Sequence, residues 1–183
     1  MRCFLLLCLF TSFFLEAADC RDYFTRGMKS WKFWAPPGCV VKFRHSKEEG
    51  ATKKGALEIV VGAGNPMGKT AVFTNHYPVV SGRSYCVKVA VKEVGLKTGS
   101  MIVMSVQGKD AKERFLGTGS LKKEWSGSEL SDGSWRMLEY RFSVPCAGKW
   151  KDTLLIIFCM GVRDCDSGRV FFDDFEFTEE GMK

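Results

Sequence analysis

Two adjacent carboxylates interrupt an apolar and aromatic stretch near the C-terminus, S-G-R-V-F-F-D-D-F-E-F, from Ser167 to Phe177. Side chains of a strand alternate between its two faces. Regular alternation therefore predicts opposite directions for the two carboxylates. Asp174 would share a face with Val170, Phe172 and Glu176, and Asp173 would share the other with Phe171, Phe175 and Phe177.

A carboxylate among apolar side chains needs a partner, because burying an unpaired charge is costly. The partner is an Arg or Lys side chain, a row of backbone N–H groups, or a hard cation such as Ca²⁺. The simpler interpretation is an aspartate at a strand edge that caps a neighbouring loop. The pattern of this stretch leaves these alternatives open.

The first residues have the layout of a secretory signal peptide. A short positive start is followed by an apolar run from Cys3 to Leu15 and then by small residues at Ala17 and Ala18. Such a layout predicts cleavage near Ala18 and a mature domain of residues 19–183. An uncleaved membrane anchor is the alternative, but the run is short for a full span. The sequence therefore predicts a secreted, extracellular protein without stable membrane insertion after cleavage.

The mature chain would keep a net charge of +6, because residues 1–18 contain one Arg and one Glu. It would also keep six cysteines, and an even number in an exported chain predicts disulfides. We expect Cys159 and Cys165 to pair, because they flank a tight connection, whereas zinc is disfavoured by the lack of any C-x-x-C pair. The six residues are Cys20, Cys39, Cys86, Cys146, Cys159 and Cys165.

Apolar alternation is the main structural signal of the mature chain. Short alternating segments separated by Gly, Ser, Asp or Pro predict an all-β fold, an antiparallel β-sandwich or barrel with one core. No helical periodicity of comparable strength is present. The predicted strands are 56–61, 70–80, 85–92, 101–107, 137–144, 154–160 and 170–177.

Five segments of the mature chain resemble, in order and spacing, the strands of secreted jelly-roll carbohydrate-binding modules of families four, nine and twenty-two, which have a galactose-binding-domain-like fold. The similarity covers nearly all of the mature chain. The closing segment, 168–175, is similar to the "g-x-fyvDDv" strand of these modules, and 80–92 is similar to their "pGxxYxvsxxvk" strand. The other matching segments are 23–31, 55–59 and 132–142.

The resemblance implies a structural Ca²⁺ that ties the first strand to the last. Asp174 matches the ligand-type aspartate of the closing motif, and Asp173 is the neighbouring candidate. Thr25 stands where the opening motif usually has Glu, so one ligand charge is lost. The resemblance thus gives Asp174, Asp173 and Thr25 as the candidate metal ligands.

Binding of a sugar requires a flat apolar ring beside a few hydrogen-bonding groups in a concave site. Trp125 lies in a strongly polar segment and Trp34 stands beside two prolines, so both are predicted to be exposed. His76, Gln107 and Arg141 place polar groups on predicted strands. The candidate carbohydrate-binding residues are therefore Trp34, His76, Gln107, Trp125 and Arg141.

No motif of an active site is present, and the two histidines, His45 and His76, stand in unrelated contexts. Glu124 and Glu129 flank Trp125, as a glycosidase pair would, but a module of this length leaves little room for a catalytic scaffold. We therefore expect a non-catalytic protein that binds poly- or oligosaccharide on a concave face. The positive charge favours an acidic polysaccharide, and no nucleic-acid partner is predicted. The alternative is a secreted interaction or structural module with a protein partner.

Overall fold

Antiparallel strands account for most of the chain in the computed structural model, which describes residues 20–110, 112–117, 121–130 and 132–181. The predicted signal peptide, residues 1–18, lies outside the described residues. Two short 3-10 turns, Gly127–Leu130 and Gly148–Trp150, connect strands. The strands are β1 (Cys20–Asp22), β2 (Lys32–Trp34), β3 (Val41–Ser46), β4 (Ala56–Val61), β5 (Thr70–Pro78), β6 (Ser84–Val94), β7 (Met101–Lys109), β8 (Lys122–Ser126), β9 (Arg136–Ser143), β10 (Leu155–Arg163) and β11 (Gly168–Glu179).

The strands form two sheets that pack face to face as a β-sandwich. The six-stranded sheet has the order β3-β4-β11-β6-β9, with β1 also paired to β11, and the five-stranded sheet has the order β2-β5-β10-β7-β8. The predicted all-β sandwich is confirmed. Every predicted strand is present, and β1, β2, β3 and β8, which are short or lie at sheet edges, were not predicted.

A β-bulge interrupts β11 between Asp173 and Glu176. Asp174 adopts a left-handed conformation with φ of 46°, and the extra residue reverses the direction of the side chains that follow. Phe175 and Phe177 therefore join Val170 and Phe172 in the core, and the prediction of regular alternation is wrong here. The bulge also marks where the neighbour of β11 changes from β4 to β1.

Aromatic rings fill the space between the sheets. Phe177 stacks on Tyr77 with ring centroids 4.5 Å apart, and on Tyr85 at 5.3 Å. Trp31 meets Phe175 edge to face at 5.1 Å. Offset and edge-to-face contacts of this kind add to the free energy of burial, so the bulged end of β11 lies at the centre of the aromatic core.

The outer side of the six-stranded sheet is covered by the segment 47–55, which connects β3 to β4. Glu49 Oε2 lies 2.9 Å from Lys92 Nζ, and the Ala51 amide donates to Asp173 Oδ2 at 2.7 Å. Beneath this segment Phe171 is fully buried, although it points away from the core. The outer side of this sheet is therefore not a free surface around Phe171.

A glycine on β7 allows a close approach of the chain that follows β9. A Cβ atom on Gly108 would lie 2.8 Å from Trp150 Cζ3, which is closer than such atoms approach. Trp150 itself is only 6% exposed and belongs to the main core.

No helix in the described part of the chain has the length and apolar character needed to cross a membrane.

Candidate functional site

The outward face of the five-stranded sheet, called the open face here, carries a continuous set of side chains from four strands. The pairing register places Trp34 beside Val72, Lys32 beside Thr74, and His76 in line with Ile157 and Gln107. Inward neighbours on the same strands are core residues, so these positions point outward. The residues of the open face used below are Lys32, Trp34, Val72, Thr74, His76, Val103, Ser105, Gln107, Ile157 and Cys159.

The centre of the open face is apolar and closely packed. Val72, Val103 and Cys159 are each only 4–6% exposed and form a cluster separate from the main core, with Ile157 packed against it. Burial of the Cys159 thiol raises its pKa to about 11, against a weaker lowering by the hydrogen bond to Ser105. This thiol is therefore protonated at neutral pH and behaves as a small apolar side chain.

Trp34 stands at the edge of this apolar centre and presents a largely free ring. Its side chain is 55% exposed, beside the nearly buried Val72. The next outward-pointing residue along β2, Lys32, is exposed, and its neighbour on β5, Thr74, is half-buried. A flat ring next to hydroxyl and ammonium donors is the arrangement that suits the face of a pyranose ring.

His76 lies at the other end of the open face, in a small pocket of about 60 Å³. Its pKa is lowered from the usual value, first by partial burial and then by the positive charges of Lys109 and Lys32, against a smaller raising effect of Glu113. This part of the face therefore has a positive electrostatic potential. The pocket is lined by Ser30, Lys32, Thr74, Asn75 and His76.

Ion pairs lie at the end of the open face that is away from His76. Arg163 Nη1 lies 2.7 Å from Glu124 Oε1, which is also 3.5 Å from Lys122 Nζ. Glu124 is thus held between two cations, whereas Glu129 is exposed in the 3-10 turn that follows β8. In the described part of the chain, Glu124 and Glu129 therefore have different environments and share no hydrogen bond.

Of the five predicted binding residues, Trp34, His76 and Gln107 share the open face, but Trp125 does not. Trp125 pairs with the core residue Ile102 and is half-buried against the main core, with Lys123 Nζ 5.2 Å from its ring centroid. Its sequence neighbours are polar because β8 is an edge strand, and an edge strand buries only one face. The expectation that Trp125 is an exposed platform is wrong.

Arg141 lies on the other sheet, on the outward side of β9, opposite Cys86. It bonds to Glu139 Oε1 at 2.5 Å and forms a further ion pair with Glu180. Arg141 is thus separated from Trp34 by the whole core, and the expectation that it lines the same face is not met. Alternation in the sequence predicts that Arg141 points outward, but it does not show to which sheet β9 belongs.

Lys32 and Thr74 are part of the open face but were not among the predicted residues. Lys32 and Trp34 alternate in the segment K-F-W, so a period of two would have placed them on one side had β2 been recognised as a strand. Thr74 and His76 alternate in β5 in the same way. No sequence signal shows that β2 and β5 are neighbours.

The two carboxylates of β11 meet the segment 47–55. Asp173 accepts from the Ala51 amide at 2.7 Å, and Asp174 Oδ2 accepts from the Thr52 hydroxyl. Burial raises the pKa of Asp173 to about 6, although the hydrogen bond from Ala51 opposes the shift. Thr25 is exposed and makes no hydrogen bond to either carboxylate among the described residues, although a Cβ on Gly55 would lie 3.0 Å from its Cα.

One buried oxygen of each carboxylate, Asp173 Oδ1 and Asp174 Oδ1, has no hydrogen-bond partner in the described part of the chain. Such oxygens are costly to bury and are the ligand type that Ca²⁺ prefers. No cluster of three His, Cys, Asp or Glu side chains is found in residues 20–110, 112–117, 121–130 and 132–181. The donor set thus fits a hard cation only with help from hydroxyl, carbonyl or water oxygens.

All six cysteines of the predicted mature chain are free thiols in the structure, so the predicted disulfides are not observed. The expected Cys159–Cys165 pair is wrong on geometric grounds. Cys159 belongs to the cluster on the open face, whereas Cys165 packs into the main core between the sheets. Cys39 and Cys165, by contrast, line one small cavity of about 10 Å³ beside Lys69.

No family model matches the chain, and no curated protein matches it. Several solved structures are similar to the chain. Over 85% of this chain, bacteriophage CBA120 tailspike protein 4 is similar with a TM-score of 0.60 and 11% identity, and this chain spans 20% of that one. The family 22 module with its family 10 glycoside hydrolase module from Clostridium thermocellum xylanase 10B, solved with xylohexaose, matches over 88% (28% of that chain) at 16% identity and a TM-score of 0.59.

The C-terminal family 22 carbohydrate-binding module of the same xylanase matches over 90% of this chain and 94% of its own, at 16% identity and a TM-score of 0.58. Modules of families 4 and 11 match with TM-scores of 0.55 and 0.56. The chain spans only 20% and 28% of the length of the first two structures. The comparisons therefore show that this chain has the jelly-roll β-sandwich fold of carbohydrate-binding modules.

Proposed function

We propose that this protein is an exported, non-catalytic module that binds a poly- or oligosaccharide on the open face. The observation that carries the proposal is the position of Trp34. Its ring is 55% exposed beside an apolar centre, and the same face bears Lys32, Thr74, His76 and Gln107 as polar partners. A ring with hydrogen-bonding groups around it is what recognition of a sugar requires.

The other large face is a poorer site for a glycan. Segment 47–55 and the ion pair of Glu58 with Arg169 occupy the outer side of the six-stranded sheet, with a 2.6 Å contact between Oε1 and Nε. The solved family 22 and family 11 structures with the same fold include complexes with xylohexaose and a mixed-linked tetrasaccharide. These similarities support a saccharide as the ligand class, and the chain's charge of +6 favours an acidic one.

The absence of catalysis in this proposal rests on the ion pairing of Glu124. Glu124 is ion-paired with Arg163, and a glycosidase needs one protonated and one charged carboxyl group facing the same bond. Export rests on the signal-peptide layout of residues 1–18, and oxidation of the cysteines would follow from export.

A structural Ca²⁺ is part of the proposal. Asp173 and Asp174 would hold it through the two oxygens that lack partners, with Thr52 beside them, and Thr25 would contribute a backbone or hydroxyl oxygen. The ion would neutralise the negative charges of the buried Asp173 and the half-buried Asp174 and fasten the segment 47–55 to β11. Thermal unfolding with CaCl₂ and with chelator tests this, because an Asp174→Asn variant should lose the stabilisation that the wild type gains.

The experiment that tests the function is binding of the secreted, oxidised protein to an array of plant, microbial and acidic polysaccharides, with Ca²⁺ and with chelator. Binding to a defined glycan class, with release of reducing ends no faster than in buffer, would support a non-catalytic module. The absence of binding to every glycan in both conditions would contradict the proposal and leave the fold unaffected.

The alternative function is binding of a protein. It is favoured by Phe33 and Val40, which are 58% and 54% exposed and lie beside the edge strand β3. An open strand edge next to exposed apolar side chains can pair with an extended segment of another protein. A negative glycan array together with specific capture of a secreted protein partner, lost in a Phe33→Ala variant, would favour this alternative.

A further inference from the structure

The His76 pocket differs from the rest of the open face in its surplus of positive charge. Lys32 borders the pocket from β2 and has no carboxylate within 4 Å among the described residues. Lys109 approaches from β7, and its side chain is only 16% exposed. The pocket thus has one lysine, Lys32, in its wall, and the charge of a second, Lys109, acts on His76 from beyond β10.

Negative charge near the pocket is weak. Glu113, in the segment after β7, is the acidic group that acts on His76, and its carboxylate lies 3.9 Å from Lys109 Nζ with 79% of the side chain exposed. An exposed pair at this distance contributes little. The residue of β10 that faces His76 is Ile157, which is apolar. Two ammonium groups and an imidazole therefore face one screened carboxylate.

We propose that this pocket binds the anionic group of an acidic glycan, a carboxylate or a sulfate, and that His76 takes up a proton when the anion binds. The inference rests on the proposed function, because it assumes a glycan on the open face. Hydroxyl groups of Ser30 and Thr74 line the same pocket and supply uncharged donors to the anion's oxygens.

The spacing of the pocket and the aromatic ring fits one chain of sugars. Lys32 and Trp34 are two residues apart on β2 and point to the same side, so their Cα atoms are separated by roughly 7 Å. A sugar stacked on Trp34 would place its neighbour in the chain beside Lys32. The open face would then select a glycan that carries a negative charge next to the stacked ring.

Proton uptake sets the direction of the pH dependence. In the free protein, burial and the two lysines hold the pKa of His76 below its usual value. A bound anion favours the charged imidazole and raises that pKa. Affinity therefore increases as the pH falls through the pKa of the complex and levels off below the pKa of the free protein.

The test compares acidic and neutral glycans of similar length, using polygalacturonate and heparin oligosaccharides as carboxylate and sulfate probes and xylan oligosaccharides as the neutral control. The wild type should bind at least one acidic probe more tightly than the neutral one, and several-fold more tightly at pH 5.5 than at pH 7.5. His76→Gln should remove this pH dependence. Lys32→Gln should weaken acidic binding roughly threefold, whereas Lys42→Gln, an equal charge change on the other sheet, should not.

A second measurement separates this inference from the proposed function. The pKa of His76 is followed by NMR in the full secreted chain, with and without glucuronate or inorganic sulfate at about 50 mM. We expect either anion to raise this pKa. Binding of neutral glycans with no acidic preference and no shift of the His76 resonance would overturn the inference alone. No polysaccharide binding would contradict the proposed function, while the His76 shift would still decide whether the pocket takes an anion.

Discussion

Trp34 and Phe33 are adjacent on β2, are exposed to nearly the same extent, and point to opposite sides of the strand. Trp34 faces the open face beside Val72, whereas Phe33 stacks on Phe43 with ring centroids 4.9 Å apart. Replacing each by alanine therefore separates a binding role from a packing role. We expect Trp34→Ala to weaken glycan binding without loss of stability, and Phe33→Ala to do the reverse.

The magnitude follows from the exposed area of the indole. A Trp side chain offers roughly 200 Å², and with 55% exposure roughly 110 Å² of it is accessible. About half of this, roughly 55 Å², lies on the one ring face that a sugar would cover. At about 25 cal/mol per Å² this is about 1.4 kcal/mol, or a tenfold loss of affinity. Phe33→Ala removes one stacked aromatic pair, which corresponds to about 1 kcal/mol of unfolding free energy.

The assay is isothermal titration calorimetry with the strongest glycan from the array, together with urea unfolding of each variant. A Trp34→Ala protein that binds as tightly as the wild type would refute the assignment of Trp34 as the platform. An equal loss of affinity in Phe33→Ala would show that the edge of the sandwich, rather than the open face, is the binding surface.

Three further predictions concern the fold. Glu58→Gln should lower the unfolding free energy by about 1–3 kcal/mol, measured in urea, because Glu58 is only 3% exposed and its charged partner Arg169 would lose the pair. In the reduced native protein at pH 8, iodoacetamide should label the exposed Cys146 and leave Cys159 unlabelled until denaturant is added, because burial holds the pKa of Cys159 near 11. Gly108→Ala should lower the melting temperature, because its Cβ would overlap the indole packed on it, with a cost of about 1–3 kcal/mol. An unchanged unfolding free energy for Glu58→Gln, labelling of Cys159 in the native protein, or an unchanged melting temperature for Gly108→Ala would contradict the packing described for that residue.

The fold was largely predictable because burial on one side of a strand leaves a period of two in the sequence. The seven segments predicted as strands are all strands of the sandwich. The failure at β11 has a local cause. An extra residue at Asp174, in a left-handed conformation, exchanges the faces of the residues that follow, and such a bulge leaves no mark in a binary pattern of apolar and polar residues.

The candidate site was predictable only in part, because membership of one face depends on which strands are neighbours. Trp34, His76 and Gln107 belong to three strands that the register brings into one sheet. Trp125 and Arg141 have similar sequence surroundings, but β8 turns its Trp towards the core and β9 belongs to the other sheet.

The sequence alone determined the all-β sandwich, the exposure of Trp34 and the pair of carboxylates that needs a partner, because each depends on local alternation or on the cost of burying a charge. The tertiary structure decided which side chains meet. It placed Cys159 in the cluster on the open face and Cys165 in the main core, and it brought Ala51 and Thr52 to the carboxylates of β11. It also gathered Lys32 and Lys109 around His76. These contacts join residues far apart in the chain, and pairing between distant strands is fixed by the packing of the whole core.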